Sequence, residues 1–445
     1  GSIFKNMIVF VIPLVLSNLL QILFNAADTV VVGRWAGDAA LAAVGSTSSL
    51  VGLLINLFVG ISIGSNVLAA RAFAAQQEKE LSRTVHTTVA TSLVGGTFVM
   101  LLGIGICKPA LMLMHSPAEI LPLSTLYLRI FFLGSPAAML YNFCNALLRA
   151  KGDTRRPLIF LAIAGVLNVG LNLIFVIAFR WGVAGVAAAT AISNYLSAIL
   201  SVSCLMKETG GFKLEIRKIR FHKAEFLNIL KIGIPAGVQG CLFSISNIFF
   251  QSSVNGFGKV IMAGNSASSS IESFIYFPMN AFGQASMTFI SQNIGAGQYE
   301  RLKKGNRSAC LSVTVLGIAL GCVAVLLGDV LLGLYNKNPE VIAAGFERLA
   351  FICIPYFLCG IMDTLAGTAR GMGHSFEPMV ITLFGACLLR IVWFTIVLHV
   401  PALYDVRNLY GCYAVTWAVT DLGLLGLIRH IHKKEIAPKM SKVQE

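Results

Sequence analysis

Apolar stretches of about 20 residues or more, cut by short polar or Gly/Pro breaks, run from one end of the chain to the other, and each can cross roughly 30 Å of hydrocarbon as a helix. Cutting at the breaks predicts twelve helical spans. They lie near residues 7–33, 41–70, 86–112, 120–149, 157–180 and 183–207, then 226–255, 260–292, 308–334, 341–371, 378–401 and 409–431. Many carry small residues, as from Val183 to Ser193, which let helices approach closely in lipid.

The pattern is written twice. The run IPLVLSNLLQILFN (Ile12 to Asn25) is answered by IPAGVQGCLFSISN (Ile234 to Asn247), and LLRAKGDTRRP (Leu147 to Pro157) by TARGMGHSFEP (Thr368 to Pro378). Arg149, Gly152 and Pro157 thus fall on Arg370, Gly373 and Pro378 at an offset of 221. Duplicated hydrophobic halves are how many secondary transporters build a site between two lobes. The expected architecture is an all-α integral membrane protein of twelve transmembrane helices in two pseudo-symmetric six-helix bundles. The N-terminal lobe covers 1–207, a cytoplasmic linker 208–225, the C-terminal lobe 226–432 and a cytoplasmic tail 433–445.

Composition agrees with a bilayer protein. Apolar residues form 56% of the chain and charged residues 12%, about half the roughly 25% usual in soluble domains. The net charge of +14 does not imply nucleic acid, because the basic residues sit in the breaks between apolar stretches. Even-numbered loops hold Arg71, Lys79, Arg83, Arg149, Lys151, Arg155, Arg156, the run from Lys207 to Lys231, and Arg301 to Arg307; odd-numbered loops hold few cations. The positive-inside rule then places both termini in the cytoplasm. The stretch Lys207 to Phe226 reads as a solvated linker. The ten cysteines stand singly in apolar segments, as small core residues and not as disulfides or metal ligands. No phosphate-binding loop, nucleophile elbow or metal motif argues for an enzyme.

An ionisable group inside an apolar span costs at least ~2.5–3.5 kcal/mol on insertion scales, so each needs a partner, water or a function. Five stand out: Asp28, Glu272, Asp363, Arg390 and Asp421. Arg129 and Arg348 lie near span ends, where snorkelling explains them. Asp28 follows Asn25 by three residues on one helical face, and its repeat counterpart is near Phe250, which cannot ionise. The fifth span adds Asn168 and Asn172, one turn apart, and the sixth adds Thr190 and Asn194. Together they form an all-oxygen set suited to a proton relay or to Na⁺. Asp28 is either a coupling-ion carrier or a structural acid, and the two amides either ligands or interhelical glue. Glu272, Asp363 and Arg390 are expected to satisfy one another as a second-lobe polar cluster, or else to bind substrate or cation. Asp421 reads as a packing or gating partner.

Around Pro278, the stretch from Phe274 to Gln284 mixes aromatics, Met279 and amides. Polarisable surfaces of that kind suit flat, variable ligands, and Pro278 offers a hinge. The substrate-facing candidates are Tyr276, Phe277, Met279, Phe282 and Gln284, with Tyr141 and Asn142 from the first lobe.

The runs from Ile12 to Gly37, SQNIGAGQ (Ser291 to Gln298) with its partner RAFAAQQ (Arg71 to Gln77), LLRAKGD and GTARGMGHS resemble the multidrug and toxic compound extrusion family. Its superfamily also holds flippases for lipid-linked oligosaccharides. The resemblance implies two bundles facing each other in a V. It further implies export of small amphiphilic, cationic organic compounds, in exchange for H⁺ or Na⁺, with no other cofactor, by a monomer in the cytoplasmic membrane of a bacterium or archaeon. The family's first-helix acid matches Asp28, and its fifth-helix Asn matches Asn168; Asn172 stands where the proton-linked branch usually has an acid, and Thr190 where it has a hydroxyl. A lipid-linked oligosaccharide flippase is the alternative on the same architecture; only Arg390 among the cations is clearly intramembrane, whereas an anionic headgroup calls for several.

Overall fold

The computed structural model describes residues 2–444; Gly1 and Glu445, the outer ends of the expected lobe and tail, lie outside the described residues. Every regular element among the described residues is helical. The first half runs α1 (Ile3–Val31), α2 (Asp38–Ala74), α3 (Glu78–Leu113), α4 (Leu121–Leu133), α5 (Ser135–Lys151), α6 (Arg155–Asn172) and α7 (Val183–Met206). The second runs α8 (Lys223–Asn255), α9 (Lys259–Gly295), α10 (Glu300–Leu326), α11 (Gly328–Tyr335), α12 (Pro339–Cys353), α13 (Tyr356–Gly371), α14 (Phe376–Thr382), α15 (Leu389–His399), α16 (Val406–Ile431) and α17 (Ala437–Gln444).

Nine helical spans among the described residues are long and apolar enough to cross a membrane, and eleven if each of two bent pairs counts once. The pairs are α4 with α5, bent by 48°, and α12 with α13, bent by 44°. The helix that completes twelve is α9. Its 37 residues are ample in length, but Asn265, Glu272, Asn280, Gln284 and a series of serines dilute its apolar character. Four further wide turns, Val32–Ala36, Leu173–Ala178, Leu383–Leu388 and His432–Ile436, are π-helical, a geometry that often marks functional positions.

The duplication extends to backbone conformation. Left-handed residues recur at the offset of 221: Gly37 with Gly258, Gln76 with Gly297, and Gly152 with Gly373. Gly152 and Gly373 end α5 and the turn after α13, where a side chain at φ near 95° would be strained.

Two compact units divide the chain. One is Leu16–Gly233; the other takes the chain from Ile234 onward together with the residues up to Val15. The division differs from the lobes expected at 1–207 and 226–432, because the beginnings of α1 and α8 pack with the opposite half. In the second unit Phe10, Val11 and Leu14 join Ile271, Ile275, Met279 and Phe282 in one apolar cluster. In the first unit the start of α8 lies against α2, where a Cβ on Gly64 would stand 2.1 Å from the carbonyl oxygen of Ile229.

The segment after α7 corrects the expectation of a solvated linker. Phe212 and Leu214, each 2% exposed, insert beside Leu81, Val85 and Leu147 in the first unit. Polar groups hold the same segment: Glu208 accepts from Lys151 at 2.7 Å and also pairs with Arg156, while a Glu78 carboxylate oxygen accepts from the backbone of Gly211. His86 accepts from the amide of Glu215 at 3.1 Å, and the Thr87 hydroxyl accepts from that of His222. A charge-rich composition hid two apolar anchors spaced to face one side.

Candidate functional site

In the first unit α1 and α6 meet where neither carries bulk on both sides: a Cβ on Gly165 would fall 1.9 Å from the ring of Phe24. One turn further along each helix, this contact brings the polar groups together. The Asn168 amide donates to both Asp28 carboxylate oxygens at 3.3 Å, and the Asn172 amide donates to Oδ1 of the same acid. Asn172 is fully buried and Asn168 nearly so, while Asp28 is half-buried. The carbonyl oxygens of both asparagines are buried without a hydrogen-bond partner. Three side chains therefore present a carboxylate and two unused amide oxygens, hard acceptors of the kind that hold a proton donor or an alkali cation.

Both helices leave the site through π turns, Val32–Ala36 after Asp28 and Leu173–Ala178 after Asn172. The other first-unit candidates stand apart from the hydrogen bonds of the acid. Asn25 is exposed and its carbonyl accepts from Thr29, and Thr190 donates to the carbonyl of Val186 at 3.0 Å. Asn194 is half-buried. Tyr127, buried on α4, lies within the field of Asp28. One aromatic among 29 Phe, 10 Tyr and 4 Trp carries no mark in sequence.

The second-unit polar residues do not form the expected cluster. Glu272 binds Arg348 through both carboxylate oxygens at 2.9 Å, and Arg348 also donates to Asn265. Arg348, expected to snorkel, is instead buried in an ion pair, because α12 is packed along α9 within the unit. Asp363 on α13 accepts from Asn280 at 3.4 Å, in a chain that continues to Gln284, and Asn280 also donates to Tyr276. Arg390 donates to Thr416 at 3.0 Å and lies 4.5 Å from the ring centre of Tyr413, a cation–π contact in place of an acid partner. Three helices thus separate three ionisable groups that composition alone invited into one cluster.

Of the substrate-facing candidates, Met279 and Phe282 are 0% and 4% exposed and belong to the second unit's core. Met279 lies against Gly317 and Gly360, whose missing side chains make its space. Tyr276, Phe277 and Gln284 are partly exposed, with Tyr276 edge-on to Phe277. Tyr141 donates to the carbonyl of Pro157 and Asn142 to that of Ala138, and both remain partly exposed.

A family model, MatE, matches residues 13–174 and again 235–395, the second match beginning 222 and ending 221 residues after the first. The chain belongs to the MatE family. Relatives include the probable multidrug resistance protein YoeA of Bacillus subtilis, 27% identical over 98% of this chain and 95% of that one. The probable multidrug resistance protein NorM of Thermotoga maritima is 24% identical over 85% of this chain and 82% of its own. Among solved structures, an outward-facing multidrug resistance MATE transporter superposes with a TM-score of 0.90 at 20% identity, over 97% of each chain. A transporter of the same superfamily from Pyrococcus furiosus, described as having a binding pocket of reversed polarity, gives 0.89 at 21% identity, over 98% of this chain and 97% of that one. As a MatE protein the chain is a multi-span membrane transporter, and the two matches correspond to its internal repeat.

Proposed function

We propose that this MatE protein is a cation-coupled exporter of small amphiphilic, cationic organic compounds, working by alternating access with Asp28 as the carrier of the coupling ion. The observation that supports the reading best is the pairing of Asp28 with Asn168 and Asn172, whose remaining amide oxygens are buried and unpartnered. A carboxylate so placed changes its local charge when it takes a proton or Na⁺, and only an ion that binds one state more tightly than the other drives a transporter between states. The names of YoeA and NorM as multidrug resistance proteins accord with an amphiphilic cargo. Tyr141 and Asn142 in the first unit, and Tyr276, Phe277 and Gln284 in the second, are assigned to substrate on their partial exposure. Met279 and Phe282 are not, because they are buried in the core.

The distribution of Lys and Arg supports placement in the cytoplasmic membrane with both termini inside. Everted vesicles with a pH or a Na⁺ gradient imposed separately test the coupling, with ethidium as the reported cargo. Accumulation under one gradient, lost in Asp28→Asn, is the expected result. Scrambling of a lipid-linked sugar with no movement of ethidium under either gradient sinks the exporter reading.

A further inference from the structure

The second unit holds a half-open cavity of about 1190 Å³ between α10, α13 and α16, a volume above the ~300–1,000 Å³ common for drug-sized ligands. Its cations gather toward one end, and Asp421 stands toward the other. On α16 the lining runs from Ala418 through Asp421 to Arg429, and Arg429 lies eight residues or about 12 Å beyond Asp421 along the helix axis. On α10 it begins with Glu300, continues through Lys303, Lys304 and Arg307, so that three cations outnumber one acid there, and reaches Cys310, which lies within the field of Asp421. Asp421 is 8% exposed, and neither of its carboxylate oxygens has a hydrogen-bond partner. At the other end Lys303, Arg307 and Arg429 form no ion pair among the described residues. The wall between is aliphatic, with Leu365, Leu425 and Ile428.

We propose that this cavity is a binding site for a zwitterionic amphiphile, with a protonated amine on Asp421, an apolar body along the aliphatic wall and an anionic group on the Lys303, Arg307 and Arg429 cluster. A buried carboxylate without a donor is costly to keep, and an ammonium supplies three donors and the opposite charge. A ligand carrying only an anion leaves Asp421 unpaired against its own apolar body. A ligand carrying only an amine leaves the basic end unused. The site lies wholly within the second unit and shares no residue with the Asp28 cluster.

Three probes with one apolar body separate the contributions: ω-aminodecanoic acid, decylamine and decanoic acid, titrated calorimetrically into purified protein in detergent, with empty micelles subtracted. The zwitterion is expected to bind at least tenfold more tightly than either single-ended probe. Asp421→Asn is expected to weaken the zwitterion and decylamine at least tenfold and to leave decanoic acid unchanged. Arg307→Gln with Arg429→Gln is expected to weaken the zwitterion and decanoic acid only. Asp421→Glu restores binding in part, and retained melting temperatures show that the variants fold. Equal affinity for all three probes, or binding indifferent to Asp421→Asn, marks partitioning into micelles and overturns the proposal. Loss of binding in Asp28→Asn places the probe elsewhere and overturns it equally. No ion gradient enters the measurement, so failure here leaves the coupling role of Asp28 standing, and failure of that role leaves this binding standing.

Discussion

Phe24 of α1 fills the space left by the missing side chain of Gly165 on α6, and this contact sets the height at which Asp28 meets Asn168 and Asn172. The two helices are close because glycine has no Cβ, and the polar site follows from that closeness one turn on. Substituting Gly165→Ala is expected to lower the melting temperature in detergent, with an overpacking cost of about 1–3 kcal/mol. Gradient-driven efflux is expected to fall further than the fold loss explains. Unchanged efflux in a destabilised variant would detach the contact from the site.

Asn172 and Asn168 differ in burial and in aim, so they are expected to differ in effect. Asn172→Leu removes a donor from Asp28 at a fully buried position, and is expected to reduce efflux at least tenfold while the protein still reaches the membrane. Asn168→Leu removes the longer, forked contact and is expected to cost less. Ethidium accumulation in everted vesicles, normalised to protein in the membrane, gives the ranking.

Glu272 and Arg348 form a buried pair with both carboxylate oxygens engaged. Breaking it from one side leaves an uncompensated charge, so Glu272→Leu or Arg348→Met is expected to destabilise by ~3–5 kcal/mol. Replacing both, as Glu272→Leu with Arg348→Met, is expected to cost much less than the sum of the two single changes. A double-mutant cycle on thermal unfolding measures the coupling; strict additivity would remove the pair from the account of stability.

Glu208 ties the segment after α7 to the first unit, and its titration carries a pH signature. Burial alone raises its pKa, but the hydrogen bonds and charges of Lys151 and Arg156 outweigh burial and hold it below the usual 4.5. A depressed carboxylate pKa contributes stability that is present above the unfolded value and lost as pH falls through the folded one. Amide exchange at Gly211 and Leu214 is therefore expected to be slow at neutral pH and to quicken as pH falls below about 4.5. Glu208→Gln is expected to quicken it at neutral pH, with loss of about 1.5–3 kcal/mol for hydrogen bonds to a charged group. Exchange at these amides that is indifferent to Glu208→Gln would contradict the latch.

Much of the fold was legible in sequence, because a bilayer asks little more of a segment than length and apolar character. The twelve spans, the repeat and its offset all follow from that one-dimensional pattern. α9 shows the limit, since its polar residues make it look least like a span although it is among the longest helices. Asp28, Asn168 and Asn172 were also legible, because an acid and amides inside apolar spans must be partnered. Thr190 is different: its hydroxyl spends its hydrogen bond on its own helix, an option open to any helical threonine.

Periodicity and composition determined on their own that this chain is helical, doubled and made for lipid, since those properties depend on how residues follow one another. Tertiary structure alone decided which buried charges are neighbours. Glu272 found Arg348 and not Arg390, Met279 entered the core, and Asp421 was left facing a cavity. The physical reason is that sequence spacing tells which side chains share a face of one helix, whereas the partner across the gap depends on which helices pack together and at what height.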